Sequence, residues 1–294
     1  MTRDTDTDTD IDPVTAANTD DSTLTVALAQ IRVESGAIDR NLDRALEAIE
    51  AAAARGADLV ALPELFNVGY FAFDRYEEFA EPFAGHTFTQ LREAAADHGI
   101  AVLAGTIVED LAATETVPTP ADEGLANTAA LFDADGDRQL VYRKHHLFGY
   151  ESAESELLVP GERIDTASIG GVGIGVTTCY DLRFPELYRR LVDSEPGADL
   201  LLVPSAWPYP RVEHWETLSR ARAIENQCYV ATINGSGEFP DADATLFGRS
   251  TVHDPWGVSL ASSGDEPALV TAEVDPARVA DVREEFPALH DRRL

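Results

Sequence analysis

Three residues of this chain sit where a strand-like run stops, and their types could do covalent chemistry. Cys179 ends GIGVTTC, Glu64 follows DLVALP, and Lys144 follows RQLVYR. A thiol becomes a nucleophile when it loses its proton. A carboxylate can take that proton, and an ammonium can hold the negative charge that develops on a substrate oxygen. Open α/β sheets carry such groups at strand ends, beyond the sheet edge. A single cysteine is more simply a small apolar core residue. Three complementary types in equivalent positions instead predict a catalytic group.

The local pattern around Cys179 supports this. Ile174, Val176, Thr177 and Thr178 suit a buried strand. Pro185, with Leu187 and Leu191 at helical spacing, predicts a helix from Pro185 onward. Cys179 then lies in a strand-to-helix turn that points its side chain outward, as a nucleophile elbow does. A helix N-terminus just beyond it is expected to favour the thiolate. Cys228 lies inside the strand-like run CYVAT and is expected to be structural. Lys144 is the only lysine in the chain, so 22 − 1 = 21 of its basic residues are arginine. A surface lysine exchanges readily for arginine, but a buried, compact ammonium does not, because guanidinium is larger and planar.

PEL around Glu64, YRKHHLF around Lys144 and CYDLRFPE around Cys179 resemble the three signatures of the nitrilase, or carbon–nitrogen hydrolase, superfamily, in the same order. The resemblance extends through RARAIENQCYVA and GRSTVHDPWG and covers the chain from about Leu24. It implies a four-layer α-β-β-α sandwich with two mixed sheets, and no cofactor. Periodicity alone gives only an α/β chain with mixed sheets. The resemblance also implies roles. Cys179 is the nucleophile, Glu64 the general base and acid, and Lys144 with the backbone N–H of Tyr180 the oxyanion site. A second glutamate, a fixed distance before Pro-Gly, matches Glu154, with Glu151 and Glu156 close by.

The nucleophile is followed by Tyr180-Asp181-Leu182-Arg183, not the Trp-Glu usual in nitrilases proper, so the resemblance points to the amidase branch. SAWPYPRVEHW and RARAIENQ are most similar to the ω-amidases, which hydrolyse the terminal amide of small 2-oxo acid monoamides, releasing ammonia through a thioester. Arg211 is a candidate to bind such a substrate's carboxylate. The aromatic-rich stretch 66–83, with Phe66 and Tyr70 foremost, is expected to wall a pocket. Asp181 and Arg183 are expected to form an ion pair beside the elbow. The rival readings are an amidase of other acyl specificity (a deaminated-glutathione amidase or N-carbamoyl amide hydrolase) and a non-catalytic binding protein on this fold.

Composition narrows the partners. The net charge of −31 disfavours nucleic acid and anionic membranes, both of which need a basic face. Acids spread along the whole chain, with arginine in place of lysine, suggest adaptation to a salty cytoplasm, where screening relieves self-repulsion. No apolar run approaches the roughly 20 residues of a membrane helix. The Thr/Asp-rich start has no signal-peptide core, and two cysteines provide no disulfide framework. The expected substrate is a small amide, the expected compartment the cytoplasm, and the expected assembly a homodimer or larger homo-oligomer, with the C-terminal LHDRRL docking on a partner.

Residues 1–23 read as a disordered acidic tail and 24–294 as one domain. Expected strands are 24–30, 58–62, 100–108, 127–132, 139–142, 199–204, 228–234 and 268–274. Expected helices are 42–54, 87–98, 212–227 and 276–286. DADGD reads as a hairpin turn and not a calcium loop. Thr245–Pro255 and 257–261 read as one further hairpin. GGVGIG precedes a strand, so it is no dinucleotide fingerprint. His145 and His146 are expected on opposite faces of a strand, unable to share a metal.

Overall fold

The computed structural model describes residues 23–150 and 152–293. The expected tail, apart from Thr23, and the alternative glutamate Glu151 lie outside the described residues. In chain order the elements are β1 (Leu24–Gln30), α1 (Ile38–Ala54), β2 (Leu59–Ala61), α2 (Tyr76–Phe79), α3 (His86–His98), β3 (Ala101–Asp110), β4 (Leu125–Phe132), β5 (Arg138–Arg143) and α4 (Glu154–Leu157). There follow β6 (Thr166–Ile169), β7 (Val172–Val176), α5 (Pro185–Val192), β8 (Leu200–Ser205), α6 (Val212–Asn226), β9 (Tyr229–Asn234), β10 (Ser236–Phe239), β11 (Ala244–Phe247), β12 (Thr251–His253), β13 (Ser259–Ser262), β14 (Ala268–Val274) and α7 (Pro276–Glu285).

Two six-stranded mixed sheets form, in the orders β14-β1-β2-β3-β4-β5 and β13-β12-β9-β8-β7-β6. The period of two in β1 explains how they stack. Val26 and Leu28 join the core between the sheets, while Ala27 and Ala29 join the core beneath α1 and α3. Leu187, Leu191, Trp215 and Ala223 bring α5 and α6 against the second sheet. The result is the α-β-β-α layering expected. In each sheet a parallel segment lies at the centre, β1-β2-β3 in one and β7-β8-β9 in the other. The carboxyl ends of β2, β7 and β8 deliver Glu64, Cys179 and Ala206, where an α/β sheet places its chemistry.

One expectation changes. The supposed single strand 245–255 is two strands with different partners: β11 pairs with β10, and β12 pairs with β9 and β13. The break is at Gly248, whose φ of +67° and near contact with the Gln30 side chain exclude a continuing strand. The helix expected from Pro185 is α5, and a 3-10 turn over Cys179–Arg183 joins it to the end of β7.

Candidate active site

Glu64 is set by a turn the sequence forces. Pro63 ends β2, and Leu65 adopts a φ of +43°, held by its N–H donating to Thr106 Oγ1 at 2.7 Å. Gly105 permits this, because a Cβ there would meet the Pro63 carbonyl at 2.2 Å. Lys144 follows β5 directly. Its carbonyl accepts from Gly161 N at 2.9 Å, so the Pro-Gly after Glu154 packs back on the lysine. Gly161 is required there, since a Cβ would meet the Arg143 carbonyl at 2.1 Å.

These turns bring three charges together. Lys144 Nζ donates to Glu64 Oε1 at 2.8 Å and to Glu154 Oε1 at 2.7 Å, and all three side chains are sealed from solvent. Each carboxylate is satisfied further. Asn127 Nδ2 and Ala206 N donate to Glu64 at 2.8 and 2.9 Å. Tyr70 O–H and Phe148 N donate to Glu154 Oε2 at 3.0 and 2.8 Å. Buried charges of this kind persist only when paired and hydrogen-bonded. Glu154 is thus the glutamate that meets Lys144. Glu156 is exposed on the short helix α4.

Cys179 has a φ of +48°, strained for a non-glycine residue, and lines an open cavity of about 410 Å³. Burial and the Glu64 carboxylate push its thiol well above the ordinary cysteine range, against the pull of Lys144. The 3-10 turn that follows it supplies no full helix end to draw the thiol down. Burial, with Glu154 adding to it, raises Glu64 above the usual carboxylate range, against Lys144. Burial draws the Lys144 ammonium down, but Glu154 and Glu64 outweigh it and hold its pKa well up.

The cavity rim carries Tyr70, Phe71, Phe73, Phe148, Tyr180, Trp207 and two guanidiniums, Arg183 and Arg211. Arg211 lies 5.4 Å from the Phe148 ring and Arg183 lies 5.0 Å from Trp207. Burial and the neighbouring Arg211 both depress the Arg183 pKa. The expected Arg183–Asp181 ion pair does not form. Asp181 turns inward to Tyr142 and His146, while Arg183 reaches His214 Nδ1 at 3.2 Å. Phe66 is also corrected: it is fully buried in the outer core and does not line the cavity. Tyr70 and Arg211 do line it, and Cys228 is fully buried just before β9 with a thiol pushed up by burial to about 12. His145 and His146 lie past the end of β5, stacked on Tyr142 and Phe184. Among the described residues no group of three His, Cys, Asp or Glu is arranged to hold a metal.

Sequence reasoning missed Asn127, Arg183, Phe148 and the Ala206 amide. Asn127 had a signal, a buried amide within the apolar run LANTAALF. Ala206 had none, because a backbone group leaves no trace in residue type.

A four-layer sandwich with a thiol facing a sealed carboxylate–ammonium cluster is a frame for hydrolysing carbon–nitrogen bonds. The chain belongs to the carbon–nitrogen hydrolase family, which matches residues 25–284, and it is an enzyme of the kind that acts on non-peptide amides. It is 37% identical over 241 residues to a 2-oxoglutaramate amidase of Paenarthrobacter nicotinovorans, covering 81% of this chain and 79% of that protein. It is 36% identical over 276 residues to the human Omega-amidase NIT2, covering 91% and 94%. The crystal structure of Nit3 from Saccharomyces cerevisiae, a member of branch 10 of the nitrilase superfamily, matches with a TM-score of 0.80 and 33% identity over 92% of this chain and 97% of that one. No helix among the described residues is long and apolar enough to cross a membrane.

Proposed function

We propose that this chain is a cysteine-dependent ω-amidase, cleaving the terminal amide of a small linear acid whose other end is a carboxylate. The observation that carries this is the placement of Arg183 and Arg211 on the rim of the cavity that Cys179 lines. In a chain with 53 acidic residues, neither guanidinium has a carboxylate within 4.0 Å among the described residues. Two like charges side by side suit an anion from outside, bound with charge-assisted hydrogen bonds. The names of the relatives agree with this chemistry.

Glu64 takes the Cys179 proton as sulfur attacks the amide carbon. Lys144 uses two of its three N–H groups on carboxylates, and the third, with the Tyr180 N–H, holds the oxyanion. The C–N bond breaks as Glu64 returns the proton to departing ammonia, leaving an acyl thioester on Cys179. Water then attacks, Glu64 takes its proton, and the carboxylate product leaves as the thiol is restored. Glu154 keeps Lys144 in place. Ammonia release from succinamate, 2-oxoglutaramate, propionamide and propionitrile tests this reading. The two acid amides should be fastest; faster turnover of the nitrile or of propionamide would overturn it.

We further infer that 24–294 act as one unit in a reducing, cytoplasm-like compartment, consistent with two free thiols. The chain is inferred to form a homodimer or larger homo-oligomer. The exposed apolar residues Ile224, Trp256 and Phe286 form a face suited to a second copy. Sedimentation of the Ile224→Glu variant as a monomer, against a larger wild-type species, checks this.

A further inference from the structure

Asp181 stands two residues past Cys179 and touches no cavity surface. It is fully buried, yet its carboxylate gathers donors from both halves of the site. Tyr142 O–H reaches Oδ2 at 2.5 Å and Thr178 N reaches the same oxygen at 3.0 Å. His146 N and His146 Nδ1 reach Oδ1 at 2.9 and 2.7 Å. Tyr142 and His146 lie two residues before and after Lys144. Thr178 and Asp181 lie before and after Cys179. A single carboxylate therefore brackets the ammonium on one sheet and the thiol on the other. His146 is in turn stacked on Phe184, ring centroids 3.7 Å apart, just before α5.

We propose that Asp181 is a positioning residue that fixes the spacing between Cys179 and Lys144 and holds the elbow in its left-handed conformation. This rests on the reading of those two residues as the reacting pair. The Cys179 φ of +48° is unfavourable for an L-residue and persists only where surrounding bonds determine it. The Asp181 side chain supplies one such bond at Thr178 N, directly before the strained residue. The same side chain ties that turn across the sheet interface to the β5 end, so the thiol cannot drift from the ammonium without breaking buried hydrogen bonds.

Four variants test it: Asp181→Asn, Tyr142→Phe, His146→Ala and His146→Asn. Loss of position by about 1 Å is expected to cost Asp181→Asn on the order of 100-fold in kcat with KM within about threefold. Tyr142→Phe and His146→Ala should each lose about tenfold in kcat, and His146→Asn should recover most of it, because the Asn amide keeps a donor near Nδ1. Iodoacetamide alkylation of Cys179, read by peptide mass, should slow in the same order. Alkylation needs no substrate, so it still reports if the ω-amidase reading fails. A purely structural role predicts lower melting temperatures with unchanged kcat per folded molecule and unchanged alkylation. Such a result in Tyr142→Phe and His146→Ala would overturn the proposal, even if Asp181→Asn does not fold.

Discussion

The floor and the rim of the cavity are built on opposite rules. At the floor, Glu64, Lys144 and Glu154 are dry, mutually paired, and tied by Asn127, Tyr70 and two backbone amides. At the rim, Arg183 and Arg211 rest on aromatic faces with no carboxylate in reach among the described residues. The floor resembles a finished circuit, with one ammonium N–H to spare; the rim is charge awaiting a counter-ion. On the proposed reading, bond-breaking falls to the floor and choice of substrate to the rim. It also says how each should fail: floor changes should strike kcat, rim changes KM.

The largest expected effect is on the nucleophile. Cys179→Ala should lower turnover by on the order of 10⁶-fold, as removing a catalytic nucleophile does, while Cys228→Ala keeps most of it. Ammonia release by the two variants decides this, and equal loss in both would break the assignment. Next is Lys144→Arg. A guanidinium would fill space the substrate carbonyl needs, so kcat should fall about 10³-fold, nearly as far as in Lys144→Ala. Near-normal turnover would mean the sole lysine is an accident of composition.

At the rim, Arg183→Met should raise KM for succinamate about 30-fold, the weight of one charge-assisted contact, and leave propionamide unchanged. Equal effects on both amides would erase the contrast between the regions. A smaller shift concerns pH. Glu64 must be ionised to act, and its pKa is raised by burial. Activity should therefore be lost as pH falls through a value above the ordinary carboxylate pKa of about 4.3. Asn127→Ala removes a donor to that carboxylate, so the acid limb of kcat/KM should move upward by about one pH unit. The smallest effect per group is spread over the surface. With a charge of −31, a thermal melt should rise by about 10 °C from dilute buffer to molar potassium chloride; a flat profile would point to a partner for the acids.

Much of the site was legible because Lys144 and Cys179 are rare types in this chain and, like Glu64, stand at strand ends. Lys144 stood alone among arginines, and Cys179 and Glu64 each followed an apolar run. The rim was not legible. Asp181 and Arg183 look like a natural pair two residues apart, but the 3-10 turn sends one inward to Tyr142 and the other outward to Trp207. Sequence distance within a turn does not fix side-chain direction. Phe66 failed similarly. An aromatic beside Glu64 can face either layer, and the turn at Leu65 sends it into the core beneath the helices. The strand break at Gly248 depended on Gln30, more than 200 residues away, which no local pattern reveals. Strand existence survived these errors because the apolar runs are long and buried on both faces.

The burial of Lys144 has a consequence for handling the protein. A chain with one lysine, sealed between two carboxylates, presents no ε-amino group to solvent. Amine-reactive dyes, aldehyde fixatives and lysine-specific proteases should meet almost nothing on the native surface beyond the α-amino terminus. Any label that does arrive at Lys144 has entered through an opened site, so amine labelling becomes a background-free gauge of local unfolding at the cavity floor.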